Sequence, residues 1–258
     1  MNIQRETDHV FRMTIPYKDI FTTIYVIKTE QGTVMFDAAS IDEDTPEYIL
    51  PMLKELNVSP EELKYIFISH NHGDHAGGLN GLKSHVPNTC IVSRSSALQE
   101  KHPDMDFLMP EDGDILLDVL QVVTVPGHTQ DSIALLDKRT NTMISGDCLQ
   151  LYGIYGSGNW ACNIGFVKDH LQAIEKVRAM NIQTVLTAHD YHPYGYRYDS
   201  ETVGKALDAC VETLMKIKDI ILQNPDMTDE RVAALYNAPA TLPKLGVRPV
   251  ASVRRDLL

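Results

Sequence analysis

Residues 67–78 read FISHNHGDHAGG. Six consecutive positions, His70 to His75, hold three histidines and one aspartate, directly after the apolar run YIFIS (Tyr65–Ser69). Imidazole nitrogens and carboxylate oxygens are the ligand atoms that zinc and related divalent ions take. A short, fully apolar run reads as a buried strand. The cluster is therefore expected just past a strand's end, where a rigid element can preorganise a site.

Three more apolar runs stop in the same way. QVVTVPG delivers His128, NTMISG delivers Asp147 and TVLTA delivers His189. If these strands lie side by side, their ends gather at one sheet edge although they are far apart in the chain. The count is suggestive: His70, His72 and His128 supply three nitrogens for one ion. Asp74, His75 and His189 supply three ligands for a second, and Asp147 can bridge both. Two ions about 3.5–4 Å apart share a nucleophile and clamp the oxygens of a reacting group. Gly73 is expected to let the chain turn sharply, Gly77-Gly78 to allow close backbone approach, and Gly127 and Gly146 to permit tight loops before their ligands. The isolated His9, His85, His102 and His170 read as surface or hydrogen-bonded residues.

Composition sets the class. The chain has 258 residues, long enough for one large domain or two small ones. Hydrophobic residues make 43% and charged residues 22%, ordinary for a globular protein. The formal net charge of −12 repels nucleic acid, and no basic patch offsets it; the densest basic spot is Arg254-Arg255. No apolar run spans a bilayer, and the first residues show no secretory h-region, so the expected location is the cytoplasm. Cys90, Cys148, Cys162 and Cys210 lack paired spacing and read as buried reduced thiols.

Periodicity places the elements. TTIYVIKT (22–29) and VMFDAA (34–39) flank EQG as a hairpin. DTPEYILPMLKELN reads as a helix capped by Asp44 or Thr45, with Pro51 forcing a kink or a late start. A short helix, the strand TCIVS and a helix around SSALQEK follow. DILLDVLQVVTVP suggests two strands, and SIALLDKRTNTMISG a hairpin turning near Thr140-Asn141. FVKDHLQAIEKVRAM is an amphipathic helix. Residues 200–223 form a long helix capped by Ser200, and the tail from Thr228 is mostly helical. The expectation is a single domain over 1–258, with a core of about 20–192 and a helical extension over 200–258.

HNHGDH has the His-x-His-x-Asp-His form of the metallo-β-lactamase superfamily, which this chain resembles. PGHT (126–129), SGD (145–147) and AHD (188–190) look like its later motifs in the right order, and Asp37 is similar to its early strand-end aspartate. The resemblance covers about residues 20–192. It implies an α/β (α+β) four-layer αβ/βα sandwich, with His70, His72, Asp74, His75, His128, Asp147 and His189 as ligands of two divalent ions. Zinc suits that set, as do iron and manganese. Asp190 is left as a hydrogen-bond partner of the site or an exposed residue.

Within the family, the ligand set is most similar to that of hydroxyacyl-glutathione hydrolases and acyl-homoserine lactonases. That implies hydrolysis of a small carbonyl ester, thioester or lactone by a metal-bridging hydroxide. Asp74 could move the proton to the leaving group. Tyr191 and Tyr194, in HDYHPYGYRY, could donate to a carbonyl, or could simply pack under the last helix; His192 is an alternative contact. LYGIYGSGNWACNIG (151–165) is either a lid or a plain loop around a core tryptophan. The alternatives are a nuclease of the same fold, a mononuclear-iron persulfide dioxygenase and a β-lactamase; the cysteine-type lactamase places a thiol where Asp147 stands. The expected partner is a small-molecule substrate.

Overall fold

Residues 2–157, 160–239 and 244–258 are described by a computed structural model of the chain. They fall into two compact units. An N-terminal unit comprises residues up to Val123 with Leu135–Thr140, and a C-terminal unit comprises Thr124–Ala134 with Asn141–Leu258.

The N-terminal unit begins with an antiparallel meander: β1 (Ile3–Arg5), β2 (Val10–Tyr17), β3 (Ile20–Thr29) and β4 (Gly32–Phe36). The chain continues through α1 (Leu50–Glu55), β5 (Leu63–Phe67), α2 (Gly73–Ala76), α3 (Leu79–Lys83), β6 (Cys90–Val92), α4 (Ser96–Lys101) and β7 (Phe107–Leu108). Strands β5, β6 and β7 add in parallel, giving a seven-stranded sheet in sequential order. Parallel neighbours need crossovers, and the short helices α1 to α4 supply them. Met13, Ile24, Val26, Met35 and Ile66 pack with Ile49, Met52, Leu79 and Leu82 into one apolar core. The loops after β4 and β5 leave the same edge of the sheet, because these strands are parallel.

Seven further strands form the second sheet. Strands β8 (Ile115–Leu116) and β9 (Leu120–Thr124) pair antiparallel, and β10 (Ile133–Asp137) follows. In the C-terminal unit, β11 (Thr142–Ile144) lies parallel to β13 (Thr184–His192). The two-residue β12 (Gly153–Ile154) and β14 (Gly195–Asp199) pair with β13 antiparallel. The helices are α5 (Val167–Ala179), α6 (Ser200–Gln223), α7 (Asp229–Asn237) and α8 (Val247–Leu257). Ile164, Val167, Leu214, Ile217, Val232, Val250 and Val253 form their shared core.

Several local expectations need correction. The strand expected over 34–39 stops at Phe36, since Asp37 and Ala39 adopt positive φ of 64° and 58°. The helix expected from Asp44 starts as a π-helical turn, Thr45–Ile49, before α1. Pro51 has no N–H for the ordinary bond there. Asp44 caps nothing through its side chain; its carboxylate accepts instead from the Ser40 and Ile41 amides. Asp199, not Ser200, occupies the N-cap position of α6.

Candidate metal centre

The HNHGDH segment leaves β5 and enters α2 after only five residues. Helix α2 is pressed onto the loop that follows β4. The Ala38 amide donates to the His75 carbonyl and the Gly77 amide to the Ala39 carbonyl. A Cβ on Gly77 would lie 1.9 Å from the Ser40 carbonyl oxygen, and one on Gly78 2.2 Å from that of Ala38. These two glycines do permit close backbone approach. Gly73 does not behave as expected: it has ordinary helical backbone, and a Cβ there would meet nothing within 4 Å.

Beneath the ligand candidates lies Asp37, fully buried. Its carboxylate accepts from the Ser69 amide at 2.8 Å and the Ser69 hydroxyl at 3.0 Å, and pairs with His75 Nδ1 at 2.7 Å. Burial pushes this carboxyl's pKa up, opposed by His75 and Ser69. Because Asp37 engages Nδ1, His75 turns Nε2 to within 3.5 Å of Asp74 Oδ2. His70 Nε2 lies 3.0 Å from His72 Nδ1, and the His70 and His75 rings are 4.2 Å apart. Four consecutive ligand candidates are thus brought together in one unit.

The C-terminal unit assembles the other three. His128 follows Gly127, whose φ of 151° no L side chain adopts readily; a Cβ there would also strike the Cα and Cβ of His170 at 2.7 and 2.6 Å. The Gly127 carbonyl accepts from the Gly165 and Phe166 amides. His128 Nδ1 donates to the Asn163 carbonyl at 2.5 Å, which fixes the tautomer and leaves Nε2 with a lone pair. That Nε2 is 3.4 Å from Asp147 Oδ2, while His189 Nε2 is 3.4 Å from Asp147 Oδ1. Gly146, at φ 52°, makes the turn that presents Asp147. The side-chain amide of Gln150 donates to the Asp147 carbonyl and to the Tyr191 hydroxyl, and its oxygen accepts from the Asn163 amide.

The donor set suits a cation. Ligand atoms about 2.1 Å from a tetrahedral ion stand roughly 3.4 Å from one another. The spacings of 3.4, 3.4 and 3.5 Å around Asp147 and Asp74 match that value. Burial pushes the Cys210 thiol up to about 12 and those of Cys148 and Cys162 upward too, and among the described residues no cysteine joins a cluster of potential ligand atoms. Cys90 is half-buried rather than buried.

Other candidates fall as follows. His70 and Asp147 do follow their strands, but His189 lies inside β13, which runs on to His192. Tyr191 is 1% exposed, its ring 6.0 Å from that of His189. Tyr194 packs edge-on against Tyr198. The His192 ring lies tilted against that of Tyr155, and the Asp190 carbonyl accepts from the Tyr155 amide. Trp160 is half-buried, not a core residue, and Gly158 and Asn159 of the expected lid lie outside the described residues. Two histidines read as surface or hydrogen-bonded are neither: His102 and His170 are 3% and 1% exposed, and the Nε2 of each has no hydrogen-bond partner among the described residues. The period of α5 could have found His170, which falls with Val167, Ala173, Ile174 and Val177 on the buried face. Gln150 and Asn163 were missed because a lone amide carries no sequence signal.

Comparison with known proteins agrees with this chemistry. The family described as Metallo-beta-lactamase superfamily matches residues 17–189. The chain is 24% identical over 246 residues to a beta-lactamase-like protein 2 homolog from Caenorhabditis elegans, covering 87% of this chain and 78% of that one. It is 32% identical over 160 residues to a hydroxyacylglutathione hydrolase from Thermosynechococcus vestitus, covering 60% and 59%. Among solved structures, a metallo beta lactamase from Hirschia baltica shares the fold at a TM-score of 0.60 and 20% identity, covering 81% of this chain and 97% of that one.

Proposed function

The chain belongs to the metallo-beta-lactamase superfamily, and on that premise we propose that it is a metal-dependent hydrolase of a small carbonyl ester, thioester or lactone. In this reading His70, His72 and His128 hold one divalent ion and Asp74, His75 and His189 a second, with Asp147 between them. The observation that carries it is the Asp147 carboxylate, each of whose oxygens faces a histidine Nε2 at 3.4 Å. A hydroxyacylglutathione hydrolase among the relatives supports the choice of carbonyl substrate. Zinc matches a histidine-carboxylate set, and iron or manganese would also be accepted.

When bound, such ions supply Lewis acidity and an acidified water. The residues do the rest. Asp37 and the Asn163 carbonyl hold the Nδ1 atoms of His75 and His128, so each ring keeps its Nε2 for a ligand bond. Asp74, which has a second carboxylate oxygen, is the proposed carrier of a proton toward the leaving group. Tyr191 and Tyr194 are the proposed donors to the substrate carbonyl, and Gln150 sets the hydroxyl of the first.

Purified protein should contain two ions per chain and turn over a thioester or a lactone. Activity should vanish with chelator and return with zinc. Two bound ions with phosphodiester cleavage, or oxygen uptake on a persulfide, and no carbonyl hydrolysis would overturn this reading.

A further inference from the structure

Arg248 lies in the first turn of α8, beyond the residues 17–189 that match the family. Its guanidinium reaches the His128 loop. Nη2 donates to the His128 carbonyl at 2.9 Å and Nη1 to Asn163 Oδ1 at 3.0 Å. Asn163 is the residue whose own carbonyl receives His128 Nδ1–H. One side chain therefore grips both ends of the hydrogen bond that orients the imidazole. The route is built for it: a Cβ on Gly165 would stand 2.5 Å from Arg248 Nη2.

The rest of α8 faces the adjoining segment, residues 163–167, at helical spacing. Ser252 Oγ donates to the Gly165 carbonyl at 3.0 Å and Arg255 Nη2 to the same carbonyl at 2.8 Å. Asp256 Oδ2 accepts from the Val167 amide at 2.7 Å. Positions 248, 252, 255 and 256 form one polar stripe, beside the apolar contact made by Val250 and Val253. A surface helix needs no such stripe to bury its valines. Planar donors in a fixed fork also hold geometry better than a lysine can.

We propose that Arg248 is a positioning residue for the metal centre, the C-terminal helix setting the affinity of the ion held by His128. This rests on the metal role proposed above for His128.

The test uses the full chain and zinc alone. Arg248→Ala should weaken zinc binding, read by competition with a chromophoric chelator, about 10- to 100-fold. The melting temperature of its metal-free form should change by no more than about 4 °C. Arg248→Lys, which keeps the charge and one donor direction, should lie between. The imidazole Nδ1–H proton of His128, followed by NMR in metal-free protein, should exchange with solvent faster in Arg248→Ala. Should that variant not fold, Asn163→Ala removes the acceptor of one arm alone and should show the same two changes more weakly. Zinc affinity within about twofold of the parent in the variants that fold would overturn the proposal, as would unchanged Nδ1–H exchange. A parent chain that binds no zinc would instead defeat the metal reading, and proton exchange would still judge whether Arg248 orients His128.

Discussion

Glycine has two unlike roles beside the proposed ligands. Gly127 combines a φ of 151° with a Cβ position occupied by the backbone of α5, so nothing larger fits. Gly127→Ala is expected to destabilise the fold by about 1–3 kcal/mol and to displace His128. Gly73 has helical backbone and open space around it. Gly73→Ala should leave stability unchanged or raise it by about 0.4–1 kcal/mol. Urea unfolding of both variants checks the contrast; equal effects would mean that the packing of α5 against the Gly127 loop is misread. The left-handed backbone of Asp37 and Ala39 belongs to the same scale. Such conformations cost about 1–3 kcal/mol each and are kept where surrounding bonds over-determine them. Here Ser69, His75 and Gly77 provide those bonds.

Helix α5 places a neutral histidine in an apolar face. Burial, with a smaller effect of His128, drives the His170 pKa down from 6.5 to about 3. The unfolded chain therefore takes up a proton below about pH 6.5 that the folded chain refuses, and stability falls as the pH drops from there toward 3. One such group contributes a slope of up to about 1.4 kcal/mol per pH unit in that window and nothing above it. Metal-free protein should accordingly lose stability between pH 6.5 and 5 faster than a His170→Gln variant does. Denaturant midpoints at several pH values read the difference. Parallel curves for the two proteins would show that His170 is protonated, or solvated, in the fold.

For the molecule as a whole, the proposed ligand set draws on both halves of the chain. An ion bound by the folded state alone stabilises it by about 2.7 kcal/mol at 100 times its Kd. Adding zinc to chelator-treated protein should therefore raise the melting temperature in a concentration-dependent way, and Asp147→Ala should abolish most of the rise. A melting temperature indifferent to zinc would count against ligands shared in this way. No helix among the described residues is long and apolar enough to cross a membrane.

HNHGDH, PGHT, SGD and AHD carry the proposed ligand types in plain view, because a metal site needs particular atoms and few residues carry them. Strand and helix positions were legible for a similar reason: β5 overlaps a short apolar run, and α5 and α6 follow the helical period. What the linear pattern could not carry was the support. Nothing about Gln150, Asn163 or Arg248 marks them in the chain, since an amide or a guanidinium gains its role only from the carbonyl it meets. His170 is enclosed because it sits on the buried face of α5, which only the helical period hints at, and Gly73 has open space around it. Ligand chemistry is a property of residue type and so is written locally. Orientation, burial and protonation depend on neighbours up to 120 positions away, as between His128 and Arg248, and only the folded chain decides them.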